Sequence, residues 1–134
     1  MAAAPAFAAT INNGAQLLGN AETNLQVPTT TSTLVTAGAS GTKIEEIVLS
    51  ASATSLVATT VAGLVYIFLY DGSTYHLYDT IVVPANTASA SLAPWRYSRA
   101  YNTLFIKSGW SLRASQSQAS NASIIKAHAT GGDY

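Results

Sequence analysis

Within nine residues, Asp71, Ser73, His76 and Asp79 assemble the side-chain types of a hydrolytic triad: a hydroxyl nucleophile, an imidazole base and carboxylates to orient it. The spacing works against that chemistry. These residues belong to a β-hairpin, whose side chains alternate, so His76 points with Tyr78 and Thr80 while Asp79 points the other way with Leu77 and Ile81. A carboxylate on the far face orients an imidazole only across a bulge, and no G-x-S-x-G turn presents a serine. Asp71 therefore reads as a turn residue and His76 as a surface or interface histidine.

Metal chemistry is equally thin. His76 and His128 lie on different strands, and a site joining them to Asp79 would be accidental. The carboxylates do not follow a calcium-loop spacing, and with no cysteine there is neither a thiolate site nor a disulfide. Glycine-rich phosphate-binding loops are missing too, so no cofactor is expected. Asn121-Ala122-Ser123 matches a glycosylation sequon, but the Ala-rich start lacks a basic segment and an apolar run typical of an export signal, and the match reads as chance.

Aromatic and arginine side chains are more informative. "APWRYSRAYN" gathers Trp95, Arg96, Tyr97, Arg99 and Tyr101 on what reads as a long connection between strands. These residue types dominate binding hot spots, so the cluster is expected to touch another protein or a sugar. The plainer reading has Trp95 and Trp110 plugging the ends of a sandwich, and Trp110, just after Gly109, fits that better.

The elements that position these residues are strands. Residues 64–70 and 75–83 flank Asp71-Gly72, a turn pair that accepts positive φ, and form an antiparallel hairpin. Leu64, Tyr66, Phe68 and Tyr70 share one face of the first strand; Val65, Ile67 and Leu69 share the other. Neither face suits water. One must lie on an opposing sheet, and the other on a neighbouring subunit, on the N-terminal segment or on residues 94–101; the alternative is a central strand whose tyrosines keep their hydroxyls wet. The subunit reading makes Tyr66, Phe68, Tyr70 and Tyr78 an interface.

Further strands are expected at 33–36, 43–51, 87–93, 102–107, 111–118 and 122–130, and no segment carries a capped helix period. The expected fold is all-β: an antiparallel β-sandwich, jelly-roll-like, over residues 34–134. Residues 1–33, small and polar with Pro5 and Pro28, read as an extended N-terminal arm with apolar anchors at Phe7, Ile11, Leu17 and Leu18.

Charge is sparse. Only 9% of the 134 residues are charged, against about a quarter in average domains, and six Lys/Arg balance six Asp/Glu. Scattered basic residues give no phosphate-binding surface, so nucleic acid is not an expected partner. The longest apolar run, 61–69, is too short to span a membrane. A neutral, charge-poor surface tends to associate, which points to a homo-oligomer, expected as a trimer.

Four stretches taken in order, "TLVTAGASGTKIEEIVLSAS", "VYIFLYDGSTYHLYDTIVV", "SGWSLRASQSQ" and "GGDY", resemble small β-rich virion proteins of tailed bacteriophages, similar to capsid decoration or cement proteins. The resemblance runs from about Thr33 to the C-terminus. It implies a non-enzymatic protein made in the host cytoplasm, carried on the virion capsid exterior and bound to the major capsid protein, with no catalytic residues to transfer. A tail or head-fibre component is the neighbouring alternative, and a carbohydrate-binding module stacking sugars on Trp95, Tyr97 and Tyr101 the alternative from another class.

Overall fold

The computed structural model describes residues 9–18, 21–53, 57–119 and 123–134. Alternation builds it. In β4 (Thr42–Ala51) the side chains of Ile44 and, past a bulge at Glu45, of Ile47, Leu49 and Ala51 turn inward; in β11 (Ile125–Asp133), Ile125, Ala127 and Ala129 do the same. β11 lies between β4 and two short N-terminal strands, β1 (Thr10–Ile11) and β2 (Gly14–Leu17), while β9 (Arg96–Ile106) pairs with the other side of β4. The second sheet runs β3 (Ser32–Thr36), β10 (Ser111–Gln116), β6 (Gly63–Tyr70), β7 (Tyr75–Val83). Strand neighbours in both sheets are antiparallel, and the sheets enclose one core that includes Leu34, Ile44, Leu49, Val65, Ile67, Leu104, Leu112 and Ile125. The protein is an antiparallel β-sandwich, and no described residue is helical.

Two expected strands come out differently. Residues 87–93 contribute only Asn86–Thr87 (β8), paired with Thr59–Thr60 (β5), because the chain then turns on Ser89, whose Oγ accepts from Ser91 N and Leu92 N. Conversely, the expected strand at 102–107 begins at Arg96, so the presumed connection at 94–101 is mostly strand. Its alternation of Trp95, Tyr97, Arg99 and Tyr101 on one side is the signal for it.

The N-terminal segment needs a larger correction. In its described part it is not a free arm: β1 and β2 hydrogen-bond to β11, and Leu18 is 3% exposed within the core. Runs of two and four residues are too short to show a strand period, but β11 would otherwise present an unpaired edge. The docking is close. A Cβ on Gly14 would lie 1.6 Å from the Leu34 carbonyl oxygen, Ser32 Oγ donates to Leu17 O at 3.1 Å, and Asn12 Nδ2 donates to Thr36 O at 2.9 Å. This seam ties the β1/β2 edge to β3 across the sandwich.

β6 has both faces covered, as its composition requires. Val65 and Ile67 enter the core, while Phe68 and Tyr66, on the outward face, are 0% and 9% exposed. The cover comes from the same chain. Residues 21–31 strap across that face: Glu22 N donates to Gln116 O, Thr30 Oγ1 lies 3.4 Å from Ser115 Oγ, and Thr31 Oγ1 lies 3.2 Å from the Tyr75 hydroxyl. Tyr66 and Phe68 are therefore not surface for a second subunit.

A buried carboxylate ties the strap. Glu22, 5% exposed, accepts at Oε1 from the amides of Thr23 and Asn24, and at Oε2 from the amides of Thr29 and Thr30 and from Thr30 Oγ1, over 2.8–3.1 Å. Burial alone would push its pKa up; the hydrogen bonds, led by the Thr30 and Asn24 amides, outweigh it and hold the carboxyl at about 2. Because the folded value lies below the ordinary 4.5, this stabilisation is complete above pH 4.5 and is lost as pH falls toward about 2. Glu22→Gln, which turns an amide NH2 toward these donors, is expected to cost about 3 kcal/mol at pH 7 in denaturant titrations and to flatten stability loss over that acid range.

Candidate functional site

The aromatic and arginine cluster expected in a loop lies on β9, with Trp95 just before it, facing β7 across the second seam of the sandwich. Trp95 and Tyr97 stack with centroids 6.4 Å apart and planes 9° from parallel, and the Arg99 guanidinium sits 5.4 Å from the Tyr97 ring centre. Arg99 donates from Nη2 to the Tyr97 hydroxyl at 2.9 Å and from Nη1 to Asp79 Oδ2 at 2.6 Å; the Tyr101 hydroxyl donates to the same oxygen at 2.7 Å. Tyr78 packs on Tyr101 at 5.9 Å. Only Arg96, on the opposite side of the strand, points outward and is exposed.

Asp79 reaches this network from the inward face of β7, which it shares with Ile81 just past a bulge. Ile67 pairs with Asp79 but Phe68 pairs with Leu77, so Tyr78 is extruded and Asp79 joins Ile81 on the inward face, while Leu77 goes outward with Phe68. The expected grouping of Asp79 with Leu77 is thus corrected, and so is that of His76 with Thr80: His76 pairs with Leu69 and lies on the Asp79 side of the strand. Burial works to raise the Asp79 pKa, but the bonds from Tyr101 and Arg99 prevail and keep the carboxyl below its usual range. Burial, reinforced by Asp79, pushes the Tyr101 phenol well up, and the bonds to Tyr97 and Asp79 raise Arg99 further. A charged carboxylate between a cation and a neutral phenol is a structural clamp. Its members are committed to one another, and Tyr101, only 9% exposed, offers no open ring face.

At the hairpin tip, Asp71 Oδ1 accepts from the amides of Thr74 and Ser73 and from Ser73 Oγ, and these, with His76 on Oδ2, hold its carboxyl far below the ordinary range. Gly72 takes φ +102°. His76 Nε2 lies 3.0 Å from Asp71 Oδ2 and the ring stacks on Trp110, whose indole also has Lys107 Nζ 5.9 Å from its centroid. The imidazole is oriented by the turn carboxylate, whereas Asp79 is taken by Arg99 and Tyr101. His128 sits on the outward face of the other sheet, so His76, His128 and Asp79 are not brought together, and no group of three potential metal ligands occurs among the described residues.

Other expected contact residues separate. Ile11 is 80% and Leu17 55% exposed, whereas Leu18 is core; Phe7 lies outside the described residues. Tyr70 packs with Tyr75 and the Arg113 guanidinium, each 4.3 Å away, and Tyr78 is 43% exposed. Glu22, Arg113 and Asp133 escaped the sequence reading. Asp133 accepts from Thr42 Oγ1 and Asn12 Nδ2, which hold its pKa down. The polar stretch around Glu22, rich in Thr and Asn, is the one local hint of a carboxylate surrounded by donors. A shallow cleft of about 200 Å³ lies beside Ile11, Glu45 and Gly131.

If the β9 residues are a clamp rather than a binding platform, Asp79→Ala is expected to cost about 3 kcal/mol by leaving Arg99 and Tyr101 without their acceptor, and Tyr101→Phe about 1 kcal/mol, read from urea midpoints. Trp95→Ala should likewise lower the melting temperature. No family model, no curated protein and no solved structure matches the chain.

Proposed function

We propose that this protein is a non-enzymatic structural component of a tailed-phage virion that decorates the outside of the capsid. The observation that carries the reading is the strand order. Counting β1 and β2 as one strand and setting aside the small β5–β8 pair, the sheets run 1-8-3-6 and 2-7-4-5 in chain order, an order that supports reading the sandwich as a jelly roll. That architecture recurs in viral capsid and lectin domains. The side-chain chemistry favours the first. Ionised groups that touch, in the Asp79–Arg99–Tyr101 clamp and around Glu22, Asp71 and Asp133, brace the fold, and Tyr101 of the expected sugar platform is buried in that clamp.

The contact we assign lies on β7, the edge strand of the second sheet. Leu77 and Val82 project outward and are 43% and 72% exposed, the bulge extrudes Tyr78, and Val27 on the adjoining strap is 65% exposed. Exposed apolar side chains on an edge strand gain by burial against a partner, at about 25 cal/mol per Å² removed from water. Such a contact repeated over a lattice stabilises the assembled shell over free subunits.

Purified protein is expected to co-sediment with heads of the encoding phage that lack it and to raise their disruption temperature. Leu77→Asp with Val82→Asp should abolish both effects while leaving the melting temperature of the free protein nearly unchanged. Failure of the unmodified protein to bind heads overturns the reading, and binding to tails instead favours the fibre alternative.

A further inference from the structure

The outward face of the first sheet carries a charge pattern that is complementary to itself. Register places Leu17, Lys126, Ser50 and Arg96 side by side across β2, β11, β4 and β9, then Ala15, His128, Val48 and Ser98, then Thr130, Glu46 and Ala100. The intervening residues Ile47, Leu49, Ala127 and Ala129 face the core at 0–1% exposure, so these rows point outward. The first row is cationic at both flanks of Ser50; the middle row has no carboxylate, lysine or arginine; the third carries Glu46. In no ion pair among the described residues do Lys126, Arg96 or Glu46 take part, whereas neighbouring Lys43 and Glu45 pair at 3.2 Å.

We propose that this face is the interface of a two-fold symmetric dimer, in which Glu46 of each copy seats between Lys126 and Arg96 of the other. The symmetry follows from the rows. A two-fold axis lying across the strands at Val48 lays the first row of one copy on the third row of the other. Glu46 then stands over Ser50, with Lys126 and Arg96 on the adjoining strands about 5 Å to either side. An axis along the strands would set Lys126 against Arg96 and is disfavoured by like charge.

Small residues, Ala15, Ser50, Ser98 and Ala100, keep the face low enough for two sheets to approach at about 10 Å. Four strands about 4.8 Å apart and some eight residues long cover about 500 Å² per copy, about 1,000 Å² in all, the lower bound for a specific interface. This assembly leaves the β7 edge free and does not rest on the capsid reading.

Charge reversal tests it on the isolated protein, by sedimentation equilibrium at low salt. The unmodified chain should weigh twice 13.9 kDa, with dissociation promoted by salt. Glu46→Lys alone, and Arg96→Glu with Lys126→Glu alone, should each weaken self-association at least about tenfold. An equimolar mixture of the two variants should restore the dimer, since every contact is again between opposite charges, and that rescue also shows that both variants fold. A monomeric or trimeric unmodified protein, variants that remain dimeric, or a mixture that does not re-associate would each overturn the proposal.

Discussion

β6 is apolar on both faces, and the rest of the structure answers to that constraint. A strand with Val65 and Ile67 on one side and Tyr66 and Phe68 on the other must be covered twice. The first cover is the opposing sheet. The second is the strap of residues 21–31, a stretch with few apolar side chains that is held down by hydrogen bonds rather than by burial. A carboxylate without a cation partner is costly to bury, yet Glu22 is buried because five donors converge on it. The strap thereby acquires a fixed conformation that its own sequence would not favour in isolation.

The same economy governs the two seams. A sandwich of two sheets leaves edges where water could enter between the layers. At one seam Asn12, Ser32 and Asp133 stitch the N-terminal strands to β3 and β4; at the other Asp79 joins β7 to Arg99 and Tyr101 of β9. In a chain this poor in charge, most of the carboxylates in contact with a donor are structural. The charged groups left unpaired on the outward face of the first sheet stand out for that reason.

Close packing also dictates the bulges. Glu45 is skipped by β11, and at that point Gly131 runs so near β4 that a Cβ would lie 2.2 Å from the Lys43 carbonyl oxygen. On β7, the bulge at Tyr78 reverses the faces of the residues before it, which turns Leu77 outward with Phe68 and sets His76 on the side of Asp79 rather than of Thr80.

Much of the fold was legible because strand alternation and turn chemistry are local. The Asp71-Gly72 hairpin, the inward placing of Ile125, Ala127 and Ala129, and an all-β sandwich all follow from period-two patterning and turn chemistry read over a few residues. The functional surface was less so. Trp95, Tyr97, Arg99 and Tyr101 were recognisable as a cluster, but whether they face solvent or a seam depends on where β7 lies, and no local signal encodes that. Phe68 could be seen to need a cover, while the identity of the cover, a strap about forty residues earlier in the chain, is a long-range matter. Residue types and their spacing settle which segments become strands and which side chains must leave water. Register, bulges and the partners of Glu22 and Asp79 are settled only when distant segments meet, because hydrogen bonds and burial are properties of the packed neighbours and not of the segment that carries them.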